Sequence, residues 1–70
     1  MASLKKIQRN CHMRIRVGAK ELSLNAHATG EGVDENSATL EAEANAYAKV
    51  NELARQKYET YTEIRHLFSS

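Results

Sequence analysis

The sequence predicts an α+β fold in which an N-terminal two-stranded antiparallel β-hairpin, over residues 6–30, packs on one long C-terminal helix, over residues 36–67. Two observations predict this ββα order within a single domain of 70 residues. Polar and apolar residues alternate on both sides of Gly18-Ala19, as they do in two half-buried strands joined by a tight turn. From Ser37 onward the chain contains no glycine or proline, and its alanine-rich first part is a strong helix former.

The hairpin prediction rests on regular alternation along the first strand. Between residues 6 and 16 every even position is polar, and every odd position except Arg9 is apolar. Gly18 accepts the positive φ that the first position of a type II′ turn requires, so a two-residue loop is expected there. Such a loop pairs Arg16 with Glu21 and brings the apolar residues of both strands onto one face.

The predicted helix begins after Gly30-Glu31-Gly32, where residues 34–37 supply several candidate N-caps. A helix over residues 37–67 is about 46 Å long, whereas the paired ribbon spans about 35 Å. The distal end of the helix is therefore expected to project past the hairpin. Residues 58–64 contain β-prone side chains with some alternation, so a third strand there is the alternative, but no helix breaker precedes them.

The projecting helix predicts a homodimer. Its distal apolar side chains would face water in a monomer, and a two-stranded ribbon with one helix is marginally stable on its own. Pairing of two copies removes both problems, either through the edges of the ribbons or through the distal helices. The apolar residues that we expect at this partner-binding surface are Tyr58, Tyr61, Ile64, Leu67 and Phe68.

The cysteine content and the N-terminal residues predict a cytoplasmic protein without a membrane partner. Cys11 is the only cysteine, so no disulfide can form within the chain. No apolar run follows the charged N-terminal residues, as a secretory signal requires, and no segment approaches the ~20 apolar residues of a membrane span. A lone thiol without a signal fits a reducing compartment.

No pattern in the sequence indicates catalysis, and we expect neither a cofactor nor a metal. Cys11 and His12 set a nucleophile beside a base, but neighbouring residues on a strand point to opposite faces. Cys11 belongs to the apolar series, so its thiol is expected to pack in the core. His12 and His27 share one ribbon face without the paired Cys and His spacing of a zinc site. The prediction is a non-enzymatic binding protein.

Charge is segregated along the chain although the net charge is only +1. Residues 1–20 carry six basic residues and no acidic one, whereas residues 21–43 carry six acidic residues and no basic one. Such block asymmetry points to an electrostatic partner, or else to neutralisation of one block by the other within the fold or across a dimer.

The polar face of the ribbon is the strongest candidate site. Arginine and lysine neutralise phosphates, and asparagine, glutamine and histidine side chains can hydrogen-bond to base edges. A two-stranded ribbon also fits the major groove of B-DNA. We therefore expect nucleic acid as the partner, bound by Lys6, Gln8, Asn10, His12, Arg14, Arg16, Asn25 and His27.

A protein partner is the alternative. In that case the chain is a small adaptor or inhibitor, of the kind that phages and other mobile elements encode, and it docks on a host protein. It would use the helix, or the acidic segment at residues 31–43 as a mimic of phosphates. A purely structural assembly subunit would use the distal helix instead.

The order of strand, glycine turn, strand, Gly30-Glu31-Gly32 and alanine-rich helix resembles the second half of a double-stranded-RNA-binding domain, over roughly residues 12–54. That family places a lysine pair at the start of the helix to hold phosphates, where this chain has Asp34-Glu35. The family's first helix is also missing here. We therefore do not assign the chain to this family.

Overall fold

The computed structural model describes residues 3–70, which form four elements in the order β1 (Lys5–Val17), β2 (Lys20–Gly32), α1 (Glu35–Lys57) and β3 (Thr62–Ser69). The three strands make one antiparallel sheet in the order β2-β1-β3, so β1 is central. α1 lies against one face of β1 and β2, and we call the opposite surface of the sheet the open face. No helix of the described residues is long and apolar enough to cross a membrane.

The predicted hairpin and its register are confirmed. Gly18 has a φ of 62° in the two-residue connection between β1 and β2. Arg16 pairs with Glu21 and Ile15 pairs with Leu22, as the alternation requires. The odd positions of β1 therefore face α1. The buried side chains of β1 are Cys11, Met13 and Ile15.

α1 begins where the sequence predicts a cap. The carboxylate of Asp34 accepts a hydrogen bond from the Ser37 backbone N–H at 2.7 Å, and this bond lowers the pKa of Asp34. The helix then presents a small or branched residue to the ribbon at every fourth position. These buried residues are Ala38, Ala42, Ala46, Val50 and Ala54.

Small residues let the backbones of α1 and β2 approach each other closely. A Cβ atom added to Gly30 would lie 2.2 Å from the Ala42 backbone nitrogen and 2.4 Å from the Ala38 carbonyl oxygen. A Cβ atom added to Gly32 would lie 2.6 Å from the Ala38 nitrogen. Both positions therefore require glycine because the two backbones leave no room for a side chain, and not because the backbone adopts an unusual conformation there.

The predicted helix over residues 36–67 is wrong in its second half, because α1 ends at Lys57. Tyr58 follows with an extended backbone, and its N–H donates to the Ala54 carbonyl at 2.9 Å. After a short connection the chain reverses direction as β3, which pairs antiparallel with the second edge of β1. A continued helix would carry apolar side chains past the end of the ribbon into water, whereas β3 buries part of them and satisfies backbone groups of β1.

The partner-binding surface predicted on the distal helix does not form, because its five residues lie outside α1. The third strand that was the alternative at residues 58–64 is present, although it runs from Thr62 to Ser69. Ile64 and Leu67 are exposed, by 42% and 60%. The aromatic members pack, partly buried, against the core of their own chain, and they are Tyr58, Tyr61 and Phe68.

We expect Gly30→Ala to destabilise the fold by about 3 kcal/mol, because the new methyl group would meet backbone atoms that cannot rotate away. Thermal unfolding followed by circular dichroism measures this effect. Thr29→Ala is the neighbouring control, since Thr29 is exposed, and it should cost less than about 1 kcal/mol. An unchanged melting temperature in Gly30→Ala would contradict the close contact between α1 and β2.

Candidate nucleic-acid interface

The even positions of β1 lie on the open face, because α1 covers only the opposite surface. β2 adds its own polar positions, so that Asn10 lies opposite His27 and His12 lies opposite Asn25. Apart from half-buried Asn10, these side chains are exposed. The open face holds all eight residues predicted at the interface, which are Lys6, Gln8, Asn10, His12, Arg14, Arg16, Asn25 and His27.

β3 adds two side chains to the open face that the sequence analysis missed. Arg65 lies opposite Arg14, and Leu67 lies opposite His12. Both fall in the segment that was predicted as helix, where Leu67 was assigned to a dimer contact and Arg65 to no site. The only signal for them in the sequence is the weak alternation around residues 58–64.

A β-bulge sets the direction of Arg65. Ile15 pairs with Glu63. The neighbouring Arg14 pairs with Arg65, which leaves Ile64 as an extra residue in β3. In a regular strand Glu63 and Arg65 would point to the same side, because side chains alternate with a period of two. The extra residue breaks that alternation, so Glu63 faces α1 while Arg65 lines a depression on the open face.

Glu63 ties β3 to α1 behind the open face. The Tyr47 hydroxyl donates to one carboxylate oxygen of Glu63, and Nδ1 of His66 lies 3.0 Å from the other. The hydrogen bond from Tyr47, followed by that from His66, lowers the pKa of Glu63, and the same Tyr47 contact raises the pKa of Tyr47. The His66 ring packs edge-on against Tyr47 and Phe68, with ring centroids 4.8 Å and 5.3 Å apart. These contacts hold the strand that carries Arg65.

The thiol of Cys11 lies in the core, behind the candidate interface. Burial, with a smaller effect of the Glu63 charge, raises the pKa of this thiol. His12, its neighbour in sequence, faces the opposite side of the sheet. Within residues 3–70, no group of three or more His, Cys, Asp or Glu side chains is arranged to hold a metal ion.

Ion pairs on the open face are long and exposed. Lys6 Nζ lies 3.7 Å from Glu31 Oε1. Two arginines share Glu21, with Arg16 Nη2 at 3.4 Å and Arg14 Nη1 at 3.8 Å from its carboxylate oxygens. Exposed pairs of this kind contribute little to stability. Exchanging the carboxylate of such a pair for an anionic partner therefore costs little free energy.

Part of the acidic segment makes contacts within the fold. Glu43 accepts two hydrogen bonds from the Arg9 guanidinium, at 2.9 Å and 3.2 Å, where β1 meets α1. Asp34 caps α1, and Glu41 accepts a hydrogen bond from the Glu31 backbone N–H at 3.4 Å. The basic and acidic blocks of the sequence therefore neutralise each other in part within one chain.

A depression of about 150 Å³ on the open face touches all three strands. Its wall includes Arg65, which forms no ion pair with any carboxylate of the described residues. The lining residues are His12, Met13, Arg14, Ser23, Arg65 and Leu67.

Comparison of the chain with protein-family models, with curated proteins and with solved structures finds no match.

Proposed function

We propose that the chain is a non-enzymatic protein that binds double-stranded DNA through its open face. The observation that carries this proposal is the surplus of cationic side chains there. Duplex DNA has a dense row of phosphate charges, and protein cations that displace its counterions supply a large share of binding affinity. The cations of the open face are Lys6, Arg14, Arg16 and Arg65, and its carboxylates are Glu21 and Glu31.

The positions of the aromatic residues favour a duplex over a single strand. Proteins that bind single strands stack successive bases on exposed aromatic rings. The aromatic side chains of this chain instead pack, partly buried, against its own core. The open face therefore offers charge and hydrogen-bonding groups without a stacking platform. The four packed aromatic residues are Tyr47, Tyr58, Tyr61 and Phe68.

The dimensions of the open face favour B-form DNA. The major groove of B-DNA, about 12 Å wide, admits a two-stranded ribbon, and β1 and β2 form such a ribbon where they extend beyond β3. Gln8, Asn10 and Asn25 project amides from this face, and amides can hydrogen-bond to base edges. The deep, narrow major groove of A-form RNA excludes such a surface.

A protein-docking function as adaptor or inhibitor receives less support. A segment that mimics phosphates needs free carboxylates, but Glu43 is committed to its ion pair with Arg9 and Asp34 to the cap of α1. The helix, which was the other candidate surface, is present as α1 but ends at Lys57 and is shorter than predicted. A host protein would therefore have to bind the exposed side of α1 or the remaining exposed carboxylates of the acidic segment, which are Glu31, Glu35 and Glu41.

We also propose that the chain forms a homodimer, through the edge of β1 and not through the distal helix. β3 pairs with β1 only from Asn10 to Arg16, so residues 5–9 of β1 have no strand partner on that side among the described residues. Two copies that pair antiparallel along this stretch would join two open faces in one sheet. Sedimentation equilibrium at micromolar concentration should therefore give the mass of a dimer, and a stable monomer would contradict this pairing.

We expect the wild-type chain to bind a random-sequence DNA duplex with an affinity that falls with salt, at a log–log slope of about −0.9 for each phosphate neutralised. The double variant Lys6→Gln/Arg16→Gln should make the slope shallower by up to about 1.8, because two phosphate contacts are lost. Arg55→Gln/Lys57→Gln is the matched control, since it removes two positive charges from the last turn of α1. Fluorescence anisotropy measures the slopes, and circular dichroism checks the fold of each variant.

Two outcomes of that titration, and one of the same titration with duplex RNA, contradict the proposal. Failure of the wild type to bind the duplex at low salt, where the electrostatic contribution is greatest, rules out DNA binding. Equal slopes for the two double variants would mean that net charge matters and the open face does not. Tighter binding to duplex RNA than to duplex DNA would rule out the proposed groove.

A further inference from the structure

We infer that Arg14 and Arg65 form a seat for one phosphate group on the open face. This inference rests on the proposed function and names the part of the nucleic acid, a backbone phosphate, that the depression between these side chains takes. Three independent features of the structure support it, and they concern charge, space and strand geometry.

Two like charges face each other across the strands that line the depression. Arg14 and Arg65 are direct partners across β1 and β3, and like charges in such positions repel each other. The carboxylate nearest to Arg14 is that of Glu21, at 3.8 Å, and Arg16 lies closer to it, at 3.4 Å. Arg65 has no carboxylate partner among the described residues. An anion between the two guanidinium groups would turn this repulsion into two attractive contacts.

The depression between these side chains is large enough to hold an anion. Its volume of about 150 Å³ is several times the ~30 Å³ that one water molecule occupies in the liquid, so an anion of several heavy atoms fits. The planar fork of a guanidinium matches the geometry of phosphate oxygens and can bind them in a bidentate manner. Ser23 and His12 line the same depression, and each adds a potential hydrogen-bond donor.

The β-bulge at Ile64 places Arg65 beside Arg14 on the open face. In a regular strand, with Ile64 paired like its neighbours, Arg65 would point to the same side as Glu63, which is the side of α1. Bulges interrupt strand pairing, and they recur beside functional sites where a side chain has to be redirected. Here the bulge separates two roles in one strand, because Glu63 anchors β3 while Arg65 is turned toward Arg14.

A backbone phosphate suits the seat better than a free phosphate ion does. The depression is open, and further cations lie along β1 on both sides of it, with Arg16 next to it toward the turn and Lys6 farther away toward the N-terminus. A polymer with regularly spaced phosphates can contact the seat and these cations together, whereas a free ion uses the seat alone. The two sources share one chemistry, so the experiment has one arm for each.

The first arm uses inorganic phosphate and thermal unfolding of the full chain. Relative to chloride at equal ionic strength, phosphate should raise the melting temperature of the wild type by several degrees more than that of Arg65→Gln. General stabilisation by exclusion of phosphate from the protein surface acts on both proteins and cancels in this comparison. Arg55→Gln, which removes a charge from α1, should respond as the wild type does. In chloride, Arg65→Gln should be at least as stable as the wild type, because the repulsion is gone.

The second arm uses the DNA duplex. Arg65→Gln should bind about tenfold more weakly at low salt, and its salt slope should be shallower by about 0.9. Arg65→Lys keeps the charge but lacks the planar fork, so it should retain most of the slope and lose part of the affinity. Arg65→Lys and the circular dichroism spectrum of Arg65→Gln together control for the possibility that the glutamine substitution disrupts β3.

The outcomes separate the seat from the proposed function. If Arg65→Gln equals the wild type in both arms while the wild type binds DNA, the seat is wrong and the proposed function stands. If the response to phosphate depends on Arg65 but no protein binds DNA, the seat holds a free phosphate and the proposed function is wrong. Loss of both responses in Arg65→Gln, with Arg55→Gln unchanged, supports the backbone-phosphate seat.

Discussion

The close contact between α1 and the β1–β2 ribbon is the constraint on which the rest of the structure depends. Alanines on the helix and glycines on β2 bring the two backbones together, and a single Cβ atom at Gly30 would collide with Ala38 and Ala42. This contact places the whole length of α1 along the ribbon. The helix therefore packs on one face of the β1–β2 ribbon, and within residues 3–70 no element packs on the other face of the sheet.

The return of the chain as β3 converts the ribbon into a three-stranded surface. Burial of the aromatic residues and the hydrogen bonds of Glu63 hold this strand against β1 and α1. The bulge at Ile64 then directs Glu63 and Arg65 to opposite sides of the sheet. The two sides of this short strand therefore differ, since the α1 side carries the anchoring contacts of Glu63 and the open face carries Arg65, which has no carboxylate partner among residues 3–70.

Local patterns in the sequence were sufficient for the hairpin but not for β3. The alternation around Gly18 predicted the register of β1 and β2, and the cap at Asp34 was among the predicted candidates. The end of the helix was missed, because no glycine or proline marks it and because the gain from ending it lies in pairing with a distant strand. Arg65 could not be assigned for the same reason, since its direction depends on a bulge that no local pattern indicates.

The central claim is that the open face, and not the helical side, contacts DNA. Two leucines test it directly, because Leu67 lies on the open face, Leu40 lies on α1, and both are 60% exposed. In a titration of methyl-labelled protein with duplex DNA followed by NMR, we expect the Leu67 methyl signals to shift and the Leu40 signals to stay. Shifts at Leu40 with none at Leu67 would contradict the account.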